Sequence, residues 1–190
     1  MSQSLKVWDG AHVQKLPGYV DAAPILGQQE GRWYRGGGGT SNTVAMVLDR
    51  LYFAPVVVSR RRIIAELGMI AIVAGATGSV SRFAVYSDIE GVPGALLIDA
   101  GTVSSAATGN TTKPVGLVVE AGMYWVAVIA QGGVAPPTVR RLDGGDSRVG
   151  VRNIANVASN GYYIDVSGAL PATAGMTIDS AVTPVLYTKL

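Results

Sequence analysis

Beyond Thr43 the chain is cut into short pieces. Runs rich in valine, isoleucine and aromatic residues are broken by glycine, proline, aspartate or asparagine roughly every 8–12 residues, the spacing of strands in an all-β sandwich or barrel. Examples are VSRFAVYSD, GALLIDAGTV, NGYYIDVSG and TPVLYTKL, with VGLVVEAGMYWVAVIAQ reading as two strands around Ala121-Gly122. No stretch sustains a 3.6-residue period between helix caps. These residues predict an antiparallel, jelly-roll-like β-sandwich over 43–190, preceded by an extended N-terminal arm over 1–42.

Several segments carry more specific expectations. The run YWVAVIA, Tyr124 to Ala130, is apolar on both parities, so it predicts a strand buried on both faces, either central in the sandwich or covered by a neighbouring chain. One core covers one face, and large apolar patches are rare on monomers, so a homo-oligomer is expected. RIIAELGMIAIV fits a strand and a short helix about equally. Pro55, inside VAMVLDRLYFAPVVVS, marks an edge or a bend. ATGNTTKP reads as a polar turn and GGVAPPTVRRLDGGDSR as a long loop.

In the arm, Leu5 and Val7 alternate before Asp9-Gly10, and Ala11 and Val13 alternate after it. That is the pattern of a hairpin on a two-residue turn with positive φ. Residues 19–42 are irregular and end in the glycine joint Gly36 to Gly39. Val7, Trp8, Asp9, Gly10, Ile25, Leu26 and Trp33 are the residues expected to dock on a partner, because large apolar side chains are costly to leave in water. An edge strand of the hairpin would suit sheet addition.

Composition narrows the chemistry. The chain has no cysteine and one histidine, which excludes thiol catalysis and a thiolate or multi-histidine zinc site. His12, in the arm, would have to serve any Ser-His-Asp site, and a partly exposed strand residue is the better reading. Fifteen basic against thirteen acidic residues is not the footprint of a nucleic-acid binder. The most apolar stretch, Ile63 to Ala76, is fourteen residues broken by Glu66, short of the roughly 18 a membrane helix needs, so no membrane insertion is expected. The N-terminus lacks an apolar core, and no signal peptide is expected. GGGGTS lacks the lysine of a phosphate loop and reads as linker. No cofactor is expected.

Three groups remain. Arg60, Arg61 and Arg62 form a solvated edge or a contact for an acidic partner. Trp125, Tyr124, Tyr162 and Tyr163 either line a sugar site or fill a core. Asp88, Glu90 and Asp99 in SDIEGVPGALLIDAG fit a catalytic pair, a metal loop or a hairpin corner. EF-hand spacing is absent, and Asp-Ile-Glu-Gly is ordinary turn composition, so the corner is preferred.

The stretch RFAVYSDIEGVPGALLIDAGTV, with LVVEAGMYWVAVIAQG after it, resembles a β-sandwich module of tailed-bacteriophage virion appendages. Arg82, Tyr86, Pro93, Gly94, Leu96, Asp99, Gly101, Thr102, Val103, Gly122, Tyr124 and Trp125 carry the resemblance. ALPATAG with TPVLYTKL resembles the ends of such proteins, and LKVWDGAHV resembles short N-terminal segments of phage tail proteins. The resemblance implies a non-enzymatic, usually trimeric part on the virion exterior, made in the host cytoplasm and held to other virion proteins by its arm. A tail-fibre or receptor-binding component that meets a host glycan or receptor is the first expectation. A head decoration or head-fibre protein is the second. A glycan depolymerase using Asp88, Glu90, Asp99 or Asp165, and a soluble carbohydrate-binding domain, are the rivals from other classes.

Overall fold

The computed structural model describes residues 28–35, 42–142, 161–175 and 183–190, and, as backbone strands alone, 5–8, 13–16 and 178–180. Fifteen strands and no helix occur among them. β1 (Leu5–Trp8) and β2 (Val13–Leu16) form a two-stranded antiparallel sheet of their own. In its ladder Trp8 stands opposite Val13, and residues 9–12, which include the expected Asp9-Gly10 turn, lie between the two strands. Asp9, Gly10, His12, Ile25, Leu26 and the Gly36–Gly39 joint lie outside the described residues, as do the side chains of Val7 and Trp8.

The body is an antiparallel sandwich. Its eight consecutive strands are β4 (Thr43–Ala45), β5 (Arg50–Val58), β6 (Arg62–Val73), β7 (Val80–Ile89), β8 (Val92–Ser104), β9 (Gly109–Val119), β10 (Gly122–Gln131) and β11 (Thr138–Leu142). They pair as nested partners: β7 with β8, β6 with β9, β5 with β10 and β4 with β11. Cross-pairing of β7 with β10 and of β6 with β11 rolls this ribbon into two sheets, β5-β10-β7-β8 and β4-β11-β6-β9. That is jelly-roll connectivity. β12 (Gly161–Asp165) and β13 (Ile178–Ser180) extend the first sheet beyond β5. β14 (Thr183–Pro184) pairs with the end of β11. β15 (Tyr187–Lys189) lies along β6 in tandem with β11, and β3 (Trp33–Arg35) pairs with β15.

Of four local expectations, one left open is resolved, two change and one holds. The segment 62–73 is a strand with a bulge between Ile64 and Glu66. The extra residue puts Ile64 and Leu67, then Met69 and Ala71, on the core side, and the three-residue step imitates a helical period. Thr138–Leu142, read as loop, is a strand because it has β4 on one side and β6 on the other. The polar stretch from Gly109 to Pro114 belongs to β9, an edge strand paired only with β6, where proline is tolerated. Pro55 is buried inside β5, but β12 pairs only with Arg50 to Phe53, so β5 is locally an edge at the proline.

The largest change concerns residues 28–35. The sequence places them in the arm, whereas the structure builds them into the sandwich. Gln28 is buried, donates from Nε2 to Val57 O at 2.6 Å and accepts at Oε1 from Ser59 N at 2.9 Å. Buried backbone groups need such partners, and the β5–β6 corner would otherwise leave these two open.

Two cores result. Between the sheets lie Tyr52, Val56, Ile64, Leu67, Phe83, Val85, Val126 and Val128. On the outer face of the first sheet lie Leu51, Phe53, Tyr86, Trp125, Ala127 and Ile129, packed with Tyr162, Leu170 and Ala174. YWVAVIA is thus buried on both faces, and the second cover is this chain's own segment after β12. That segment is strapped down by Leu96 N to Ala172 O at 2.8 Å, Ala174 N to Gly94 O at 2.9 Å and Gln131 Nε2 to Gly168 O at 2.8 Å. The sequence argument for a covering neighbour therefore falls: Trp125 is 0% exposed in the single chain.

Candidate functional site

The β7–β8 hairpin turns on Glu90 and Gly91, with φ of 52° and 85° and Ile89 facing Val92. Two central residues with positive φ make the type I′ hairpin turn. Asp88 braces it. Its Oδ2 accepts from Gly91 N at 3.2 Å, and its Oδ1 accepts from the indole N–H of Trp125 at 2.8 Å. Asp99 is engaged elsewhere: Arg82 donates from Nε to both of its oxygens, at 3.0 and 3.1 Å, and from Nη2. Asp99 also accepts from Gly101 N at 2.9 Å, at a β-bulge where Gly101 takes φ of 80°. The Arg82 guanidinium holds the Asp99 carboxyl below its usual range, with the Gly101 N–H helping and partial burial opposing. Asp165 pairs with Arg50 at 2.8 Å, and that guanidinium stacks 4.1 Å from the Tyr163 ring centroid. So Asp88, Asp99 and Asp165 each hold a different strand pair together. Among the described residues no three His, Asp or Glu side chains gather as a metal site would require.

The four candidate sugar-binding aromatics do not form one surface. Trp125 is fully buried, with Tyr162 against it at 5.2 Å between ring centroids. Tyr163 packs on Tyr52. The Tyr124 hydroxyl donates to Glu120 O at 3.1 Å across the β9–β10 turn. Tyr86, also fully buried, donates to Pro171 O at 3.0 Å, and burial pushes its hydroxyl up to about 12. Gly94 lies in close approach to its neighbours: a Cβ there would stand 2.6 Å from Ile89 Cδ1 and 2.7 Å from Ser87 Oγ, so those side chains would have to shift. The residues that carry the sequence motif are thus bound into one structural unit of β7, β8, β10 and the strap.

The three arginines also separate. Arg60 is exposed, Arg61 pairs at 3.3 Å with the equally exposed Glu120, and Arg62 donates from Nη2 to Gln28 O. Arg61 and Arg62 border a cleft of about 300 Å³ with Glu30, Ile63, Val118 and Leu190.

A second cleft, of about 230 Å³, opens on the outer face of the other sheet. Trp33 from β3 and Tyr187 from β15 form aromatic walls, Gly68, Met69 and Ile70 from β6 the floor, and Asn110 and Thr112 from β9 the far side. Lys189 Nζ lies 5.8 Å from the Trp33 ring centroid and is itself held by Glu66 at 2.8 Å. Among the docking residues proposed from sequence, Trp33 alone has a described side chain, and it serves this cleft. Tyr187, Gly68, Asn110 and Thr112 carry no local signal in the sequence, since they come from three strands far apart in the chain.

No protein-family model matches the chain. A search of curated proteins finds no similar sequence. Among solved structures the chain is similar to the crystal structure of the cysteine protease and lectin-like domains of Cwp84, a surface-layer-associated protein of Clostridium difficile. The TM-score is 0.49 and the identity 11%, and the match covers 79% of this chain and 36% of that one.

Proposed function

We propose that this chain is a non-enzymatic exterior component of a tailed-phage particle: a jelly-roll knob that faces outward and an N-terminal hairpin that docks on the rest of the virion. A tail-fibre or receptor-binding position is the reading carried forward, with the capsid surface as the alternative. One observation supports a scaffold over an enzyme. The motif residues behind the phage resemblance, Arg82, Tyr86, Gly94, Asp99, Gly101 and Trp125, spend their polar atoms and their space on internal bracing. The acids offered for glycan hydrolysis are dispersed among separate strand pairs, whereas that chemistry needs two acids facing one bond.

Docking by the N-terminus draws support from β1 and β2, which among the described residues pair with each other and with no other strand. A lone hairpin is marginal in water and gains from adding to another sheet. The test is a phage carrying a deletion of residues 1–27, which keeps Gln28 and β3 in place. The truncated protein is expected to fold and to be missing from purified particles. Normal occupancy would refute docking through this segment. Antibody labelling of intact virions separates the two positions, since label along the capsid would refute the tail reading.

A further inference from the structure

We propose that the cleft over Gly68 binds one neutral sugar ring of a glycan. A Cβ on residue 68 would stand 3.1 Å from Thr112 Cγ2 and 3.4 Å from Trp33 Cζ3, so a side chain at this position would intrude on the hollow. Its seven lining residues are all uncharged, and the nearby Lys189 and Glu66 satisfy each other. A phosphate or carboxylate would lose its hydration here with no counter-charge on the cleft wall. A pyranose suits what is present. Its C–H face is apolar and suits the aromatic surface of Trp33 and Tyr187, which line the cleft, while its hydroxyl edge needs groups that both donate and accept. The Asn110 amide and the Thr112 hydroxyl do both, and neither makes a side-chain hydrogen bond among the described residues. At about 230 Å³ the cleft falls below the roughly 300–1,000 Å³ of pockets for drug-sized ligands and has room for one ring. Pairing of β3 with β15 fixes the backbone at Trp33 and so the place of its ring beside the cleft.

This inference stands on the cleft alone and is separate from the virion reading, so either can fail without the other. The experiment is a titration of the ¹⁵N-labelled full chain with the methyl glycosides of glucose, galactose and N-acetylglucosamine, reading the indole N–H resonances. The expected result is a saturable shift of the Trp33 indole with at least one glycoside while the buried Trp125 indole stays in place. Gly68→Val should weaken binding by about tenfold or more, and so should Trp33→Ala, which removes the reporter indole and is therefore followed through the backbone amide of Gly68. If either disturbs the sheet, Asn110→Ala, at an exposed position, is expected to weaken binding with the Trp125 resonance unchanged. No saturable shift with any of the three glycosides would overturn the proposal. So would a shift that survives loss of Trp33 and Asn110, or one produced by an apolar peptide and not by the glycosides.

Discussion

Asp88 joins two things that the sequence keeps 37 residues apart, a hairpin corner and the indole of Trp125. Replacing it by alanine leaves that buried N–H without an acceptor, which costs about 1–3 kcal/mol. Urea unfolding of Asp88→Ala should show this as a lower midpoint, and an unchanged midpoint would mean that another acceptor takes over. Asp99 makes a pH-dependent contribution. Its folded pKa lies below the ordinary value of 3.8, so its stabilisation is complete above that value and is lost as pH falls through the folded pKa. Thermal melts below pH 4 should therefore sag less in Asp99→Asn than in the parent. Equal acid slopes would contradict the role given to the Arg82 pair. Local composition already pointed to a hairpin corner within residues 88–91, and the structure turns it on Glu90 and Gly91. It held no sign of which partner each acid would meet, because strand pairing in three dimensions sets those partners.

The strap, residues 168–174, has no regular secondary structure and no period to read, yet it closes the second core. Leu170 is 8% exposed and packs into the cluster around Trp125 and Phe53. Leu170→Ala should cost about 2–5 kcal/mol, the range for emptying a buried leucine site. Calorimetry would measure it, and a loss under about 0.5 kcal/mol, the surface-substitution level, would show that the strap is not part of the core. The same reasoning separates two N-terminal deletions. Removal of 1–27 leaves the body intact, whereas removal of 1–35 takes Gln28 and β3 and should lower the melting temperature. The helix-or-strand ambiguity of RIIAELGMIAIV also belongs at this scale. A single bulge at Ala65 changes the parity of the core residues, and no reading of periodicity can place a bulge without the partner strand.

For the whole molecule, the jelly roll covers both faces of its first sheet from within. Trimer assembly then rests on the phage resemblance and no longer on an uncovered apolar strand. The expected mass in solution, by light scattering at micromolar concentration, is three times the 19.6 kDa of one chain. A particle of one chain mass would contradict the trimer and leave the fold untouched. Ile63 and Val118 face each other across β6 and β9 and are 52% and 50% exposed. They make this outer corner the first place to introduce a charge when testing self-association.

Local physics made the strand content readable. β-branched runs alternating with turn residues point to an all-β sandwich or barrel, and the absence of cysteine and the single histidine removed whole classes of chemistry. The corner at residues 88–91 and the two-sided apolar pattern of YWVAVIA belong to the same class, since each is read from residues close together in the chain. Long-range pairing decided the rest. Which strand lies beside β6, what covers Trp125, where the arm ends and which side chains ring Gly68 all depend on contacts between distant segments. Their partners come from three or four separate strands, and a linear pattern carries no record of which strands will meet.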